Sequence, residues 1–337
     1  MQFSHNLATL DWLLEPSNPS VRYFTLVDLL GRPADDPQVQ AARVAIMESG
    51  PVPRILAKQR EEGTWGKPED FYLRSKYKGT AWSFILLAEL GADGADPRVQ
   101  RAAEFLIERS QDASSGGYAY RSIHAAADPE ALLPCLTGNL VWSLQRLGFA
   151  GHPAVRKGLE WIAAYQRFDD GDGGAPQGWP YGRFEKCWGR HTCMMGVVKA
   201  LKALAEAPAG ERTPEAQAAL ERGVEFVLRH HVYKRSHNPA QPANPDWSTF
   251  GFPRLWRTDA LEILEILARL GVRDPRMEEA IRLVQAKRDS QDRWLLERSF
   301  AGRMQVELER EGQPSKWVTL SALRGLISMG HSFPTFY

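Results

Sequence analysis

Three things are scarce in this 337-residue chain: strand signals, cysteines and net charge. Alternating apolar and polar runs of the kind that make strands hardly occur, so an all-β or α/β architecture is not expected. There are three cysteines. An odd thiol count argues against a disulfide framework and for a reducing compartment, read here as the cytoplasm. The formal net charge of +1 sets up no whole-molecule field that would draw nucleic acid. No apolar run reaches the roughly 18 residues of a membrane-spanning helix, although the composition leaves room for peripheral contact with a bilayer. The opening Met1-Gln2-Phe3-Ser4-His5 lacks a charged n-region and an apolar h-region, so no secretory signal is expected.

What is present is helical periodicity with a repeat of about 60 residues. A helix end of the Leu-x-x-Leu-Gly kind recurs at Leu29-Leu30-Gly31, Leu87 to Gly91, Leu144 to Gly148, Leu267 to Gly271 and Leu326 to Gly330. A proline then opens the next helix at Pro37, Pro97, Pro153, Pro214 and Pro275, at spacings of 60, 56, 61 and 61 residues. Glycine just past a helix end and proline at its first position are the stop and start signals that backbone sterics favour. Helices beginning near Arg22, Thr80, Thr137, Cys193, Asp259 and Thr319 are apolar almost all round, as in Ala81 to Leu90, and belong inside. Those after the five prolines are amphipathic and belong outside, with Leu7 to Leu14 as a sixth. Six such hairpins in a ring predict an all-α, α/α-toroid fold spanning residues 1–337 as one domain; an open α-solenoid is the alternative. The long connections, 61–78, 111–134, 167–190, 233–255 and 289–316, all fall where inner helices begin. Loops of that length are usually functional, so that end is the expected functional face.

Lys157-Gly158 with Trp161-Ile162 and Gln166, and Gln59 with Gly63-Thr64-Trp65, resemble the two halves of the QW repeat of terpene cyclases. Other copies are degraded, with Gly174 in place of the Trp and Arg288 in place of the Gln. The resemblance is loose but covers nearly the whole chain. It implies the superfamily of terpenoid cyclases and protein prenyltransferase β subunits, hence a toroid with a central apolar cavity and an isoprenoid substrate. Gly182-Arg183-Phe184-Glu185-Lys186 resembles the Gly-Arg-x-x-Lys stretch of prenyltransferase β subunits. That resemblance implies diphosphate binding by Arg183 and Lys186, with Mg²⁺ accompanying such a substrate. The family's Asp-x-Cys zinc pair is replaced here by His191-Thr192-Cys193, so its ligand set does not carry over intact. The Asp-x-Asp-Asp acid of squalene-type cyclases is not matched by Asp169-Asp170-Gly171-Asp172.

Four groups of residues could carry chemistry. Cys135, Cys187, His191 and Cys193 make a Cys3His set suited to tetrahedral zinc; the other readings are buried inert cysteines, or a catalytic Cys193 thiol with His191 as its partner. Asp259 is either an acid catalyst or an N-cap. Lys234, Arg235 and His237, with Arg183, Lys186 and Arg190, would form a basic rim for an anion, or would partly compensate a helix dipole. Asp169, Asp170 and Asp172 would bind Mg²⁺, supply an acid or simply form turns. Trp82, Trp142 and Trp256, with Tyr77 and Trp317, are the candidate cavity wall. The leading expectation is an isoprenoid-acting enzyme with a zinc–thiolate site at the mouth of an apolar cavity. The alternatives are a metal-free cyclase initiated by Asp259 or the Asp169 loop, and a non-catalytic lipid-binding or scaffold toroid. No partner subunit is revealed.

Overall fold

The computed structural model describes residues 7–181 and 184–330. The inner helices are α2 (Pro19–Phe24, continued by a wider turn over Thr25–Leu29), α5 (Thr80–Glu89), α7 (Pro134–Leu144), α10 (Met194–Glu206), α12 (Ala260–Arg269) and α14 (Lys316–Ser328). The outer helices are α1 (Leu7–Leu13), α3 (Pro37–Glu48), α6 (Pro97–Ser110), α8 (Pro153–Tyr165), α11 (Pro214–Arg229) and α13 (Glu278–Ala286). Two short helices, α4 (Pro51–Leu56) and α9 (Glu185–Trp188), lie in connections. Three small antiparallel ribbons sit in the long loops; the first pairs Ser122–Ile123 with Ala126–Ala127.

The local signals read from the sequence place the boundaries. Each predicted proline occupies the first helical turn, and the residues before all five (Asp36, Asp96, His152, Thr213 and Asp274) cap with their side chains. Gly31, Gly91, Gly148, Gly271 and Gly330 all have positive φ, as glycines that end helices do. In α5 every residue from Thr80 to Ala88 is buried, whereas α6 buries only one face, with Val99, Ala102, Ala103 and Phe105 on it. The ring closes because the first and last hairpins meet: the Phe24 and Trp317 rings are 6.1 Å apart and Arg324 pairs with Asp28. Closure selects the toroid over the open solenoid.

A brace repeats between neighbouring hairpins. Thr80, Thr137 and Thr319, each within an inner helix, accept the backbone N–H of the loop aromatics Trp65, Tyr118 and Trp294 at 3.2, 2.9 and 3.0 Å. Gln59 and Gln111 donate to the carbonyls of Arg98 and Ala154, at the start of the next outer helix, at 2.8 and 2.7 Å. These bonds satisfy buried polar groups at the joints. Between α7 and α10 the packing is closer still: a Cβ on Gly138 would collide with the Lys199 carbonyl.

Candidate functional site

A central funnel of about 440 Å³ runs down the ring axis. Its wall comes from the C-terminal halves of the inner helices, with Ala88 and Glu89 from α5, Lys202 and Glu206 from α10, and Glu265, Ile266 and Arg269 from α12. Glu262 and Arg254 form its buried floor, with side chains 3% and 7% exposed, whereas Arg269 at the rim is 49% exposed. The funnel therefore opens where the connections are short, at the end opposite the long loops.

The expected mouth is closed. Trp82 donates from Nε1 to the Tyr72 carbonyl at 2.7 Å and stacks on the Tyr72 ring. Tyr77 packs against Trp82 and Phe300 at centroid distances of 5.1 and 4.3 Å, and its hydroxyl accepts from Trp256 Nε1 at 2.8 Å. Large aromatic faces in the loops bury one another instead of lining a wet opening. Of the three tryptophans expected to hold substrate, Trp142 faces the funnel; Trp82 and Trp256 belong to this plug. Trp317 lines the funnel and stacks on Phe252 at 4.1 Å.

The expectation of an apolar cavity is also corrected. Five carboxylates (Asp28, Glu89, Glu206, Glu262, Glu265) and five cations (Arg146, Lys202, Arg254, Arg269, Arg324) line the funnel beside four aromatic rings. They are paired across helices. Lys199, wholly buried behind the floor, holds both Glu262 oxygens at 2.7 and 2.8 Å. Lys202 lies 2.5 Å from Glu89, 3.6 Å from Glu262 and 3.5 Å from the centre of the Trp142 ring, a cation–π contact. Arg254 reaches Glu265 at 2.8 Å, and Arg269 reaches Glu206 at 2.7 Å. Burial alone would push the Glu262 carboxyl up, but the charges of Lys199, Lys202 and Arg254 outweigh it and hold it down to about 2. Burial lowers Lys199. For Arg254 the attraction of Asp259 and Glu265 overcomes burial and raises it. Glu262 is thus a fixed anion and not a proton donor near neutrality.

None of these funnel charges was singled out from the sequence, although a signal existed. Glu262, Glu265 and Arg269 have helical spacing within a segment that reads as apolar all round. Glu89, Arg146 and Arg269 each stand two residues before the glycine that ends their hairpin, and Asp28 stands three before it.

Asp259 sits fully buried at the N-cap of α12, away from the funnel. Its oxygens accept from the amides of Glu262 and Gly251 at 2.8 and 3.2 Å, and Arg254 lies 3.3 Å away. The loop carboxylates are engaged too: Asp169 with Arg167 and Thr192, Asp170 with His230 and Ser236, and Asp172 with Arg229. Lys234 is buried and pairs with Glu279 at 2.6 Å, while Lys186, Arg190, Arg235 and His237 are exposed. Arg183 lies outside the described residues.

The three cysteines converge at the starts of α7 and α10, but His191 does not join them. It is exposed, with Nδ1 turned toward Gly171. The Cys187 and Cys193 thiols shift each other in opposite directions, and Cys135 is shifted chiefly by its burial. The Cys187 thiol, opposed by burial and aided by the Gly196 and Met195 amides, brings Cys193 down to about 7. Cys187 is pushed up, by Cys193 first and then by burial. Burial pushes Cys135 up to about 12. Among the described residues, no group of three or more His, Cys, Asp or Glu side chains is placed to hold a metal ion. The Cys3His zinc set does not fit this geometry. No helix among the described residues is long and apolar enough to cross a membrane.

None of the protein-family models matches the chain, and none of the curated proteins does. Solved structures similar to it include the apo type II terpene cyclase MstE from Scytonema, at 14% identity and TM-score 0.46, with 94% of this chain and 88% of that one covered. A protein from Actinoplanes is 15% identical, with a TM-score of 0.44 and coverage of 93% and 90%. The GH76 α-mannanase of Bacteroides thetaiotaomicron is 12% identical, with a TM-score of 0.37 and coverage of 74% and 68%. At TM-scores below 0.5 these likenesses decide neither substrate nor reaction, which have to be argued from the chain's own residues.

Proposed function

We propose that this protein holds and transforms an amphiphilic small molecule in its central funnel, with an isoprenoid-like segment against the aromatic wall and a polar head at the ion pairs. One observation carries the reading: one open chamber presents four aromatic rings, five carboxylates and five cations to the same space. Its volume, about 440 Å³, lies within the roughly 300–1,000 Å³ of small-molecule sites. Phe252, Trp317, Phe24 and Trp142 supply apolar faces that can also stabilise positive charge on a substrate. The funnel charges balance, five against five, which favours a neutral polar or zwitterionic head over a bare diphosphate. A head group that displaces one partner of a buried pair must replace its hydrogen bonds, and this is a strong source of specificity.

If the reaction begins with protonation, Glu262 is unsuited, because it stays ionised. The candidates that remain among the funnel carboxylates are Asp28, Glu89, Glu206 and Glu265. The test is incubation of the full chain with prenyl alcohols, prenyl diphosphates and prenylated benzoates, followed by native mass spectrometry and product analysis. Binding that is lost in Trp142→Ala and Lys202→Met, with turnover lost in one of Asp28→Asn, Glu89→Gln, Glu206→Gln or Glu265→Gln, supports an enzyme. Stoichiometric binding without turnover supports a carrier. No binding to any of the three classes sinks the isoprenoid reading.

A further inference from the structure

A second cavity, of about 250 Å³, is lined by α8, the start of α11 and the connection 207–213, and it shares no lining residue with the funnel. Val155 and Leu159 on α8 and Ala216 on α11 give it an apolar wall. Four charges stand around it: Arg156 and Glu160, one turn apart on α8, and Glu211 and Arg212 in the connection. The funnel charges pair with one another. Among the described residues, none of these four enters an ion pair. Arg212 is half-buried and anchored. Its Nε donates to the Leu204 carbonyl at 3.0 Å and its Nη1 to Gln217 Oε1 at 3.3 Å, which leaves Nη2 without an acceptor among the described residues. Gln145, on the same cavity and 9% exposed, spends its amide N–H on the carbonyls of Ala203 and Val141 at 3.0 and 3.3 Å. Its side-chain oxygen has no donor among the described residues, so a ligand N–H can use it. Leu204 belongs to the last turn of α10, whose Lys202 and Glu206 line the funnel, so the cavity touches a helix of the funnel wall.

We propose that this cavity binds an aliphatic α-amino acid as its zwitterion. The carboxylate sits on Arg212, the ammonium is taken by the Gln145 oxygen and the glutamates, and the side chain lies against Val155, Leu159 and Ala216. A guanidinium held by two bonds to the protein presents its remaining N–H groups in a fixed plane, which matches a carboxylate. Burial and then the charge of Arg269 lower Arg212, so an anion there meets a cation that the protein itself does not compensate. A bare anion would satisfy the arginines but meet Glu160 and Glu211, and a bare cation would meet the reverse. The two cations and two anions around the cavity already balance, and a net-neutral ligand keeps that balance. The cavity is smaller than the roughly 300–1,000 Å³ of drug-sized sites, as befits so small a molecule. The site does not depend on what the funnel holds.

The experiment is isothermal titration of the full-length protein with L-leucine, L-valine and L-methionine, beside isocaproate, which is leucine without its ammonium, and isoamylamine, which is leucine without its carboxylate. The expected result is saturable binding of at least one amino acid. Each single-charge analogue should bind about tenfold more weakly or worse, the usual loss when a charged hydrogen bond goes unmade. Arg212→Gln should weaken the amino acid by a similar factor, and Arg324→Gln, in the funnel, should leave it unchanged. No saturable binding of any of the three amino acids at millimolar concentration would overturn the proposal, and so would isocaproate binding as tightly as leucine. A loss in Arg324→Gln equal to that in Arg212→Gln would put the amino acid in the funnel and also overturn it. The analogue series needs only the wild-type protein, so it decides the matter even if a variant fails to fold.

Discussion

The two ends of the ring are built oppositely. At the long-loop end Tyr72, Tyr77, Trp82, Trp256 and Phe300 close on one another, and the inner-helix starts are sealed. At the short-loop end the last turns of the inner helices line a charged funnel. Long, aromatic-rich loops look functional by length, yet here they supply apolar surface to bury. The short turns leave side chains such as Arg269 and Arg146 facing an open axis. Loop length therefore marks where chain is spent, and not by itself where a ligand goes.

The comparison can be broken at the plug first. Trp82→Ala should cost about 3–5 kcal/mol in urea unfolding, the usual range for a large aromatic removed from a core, while ligand binding in the refolded protein changes little. A drop in affinity with unchanged stability would move the chamber back to the long-loop end. At the funnel floor, Glu262→Gln should cost about 3–5 kcal/mol, because it leaves the buried Lys199 without its counter-charge. The paired change Lys199→Met with Glu262→Leu should recover most of that loss; failure to recover would show that the pair does more than neutralise itself.

A pH series sharpens the same contrast. The Glu262 carboxyl is depressed in the folded state, so its contribution is fully present above the ordinary value of 4.5 and is lost as pH falls toward about 2. Wild-type stability should fall through that window, and Glu262→Gln should flatten that part of the profile. The smallest effect belongs to the rim. Arg269→Ala removes a half-exposed partner of Glu206 and should cost less than about 1 kcal/mol. Any larger change in ligand affinity would then mark Arg269 as a contact and not a brace.

Much of the fold was legible from local chemistry. Pro97 after Asp96 and a positive-φ Gly91 are short-range signals, and they set hairpin ends regardless of what packs outside them. The site was far less legible. Trp142 lines the funnel, but Trp82 and Trp256, equally aromatic and placed near inner-helix starts, belong to the aromatic plug. Cys135, Cys187 and Cys193 were grouped from their places along the chain and the ring, and His191, two residues from Cys193, is turned toward Gly171. Asp259 showed its cap position in the sequence; that its carboxylate was also saturated by Gly251 and Arg254 was not visible there.

By itself the sequence determined the hairpin count, the inner and outer helices and the helix boundaries, because glycine and proline act on their own dihedrals and periodicity acts within one helix. Only the tertiary structure decided which end opens, that the axis is charged, and which groups pair. The partners lie far apart in the chain: Lys199 and Glu262 are separated by 63 residues, and Asp28 and Arg324 by 296. A charge inside an inner helix reads as an error in an apolar pattern until ring closure brings its counter-charge to it.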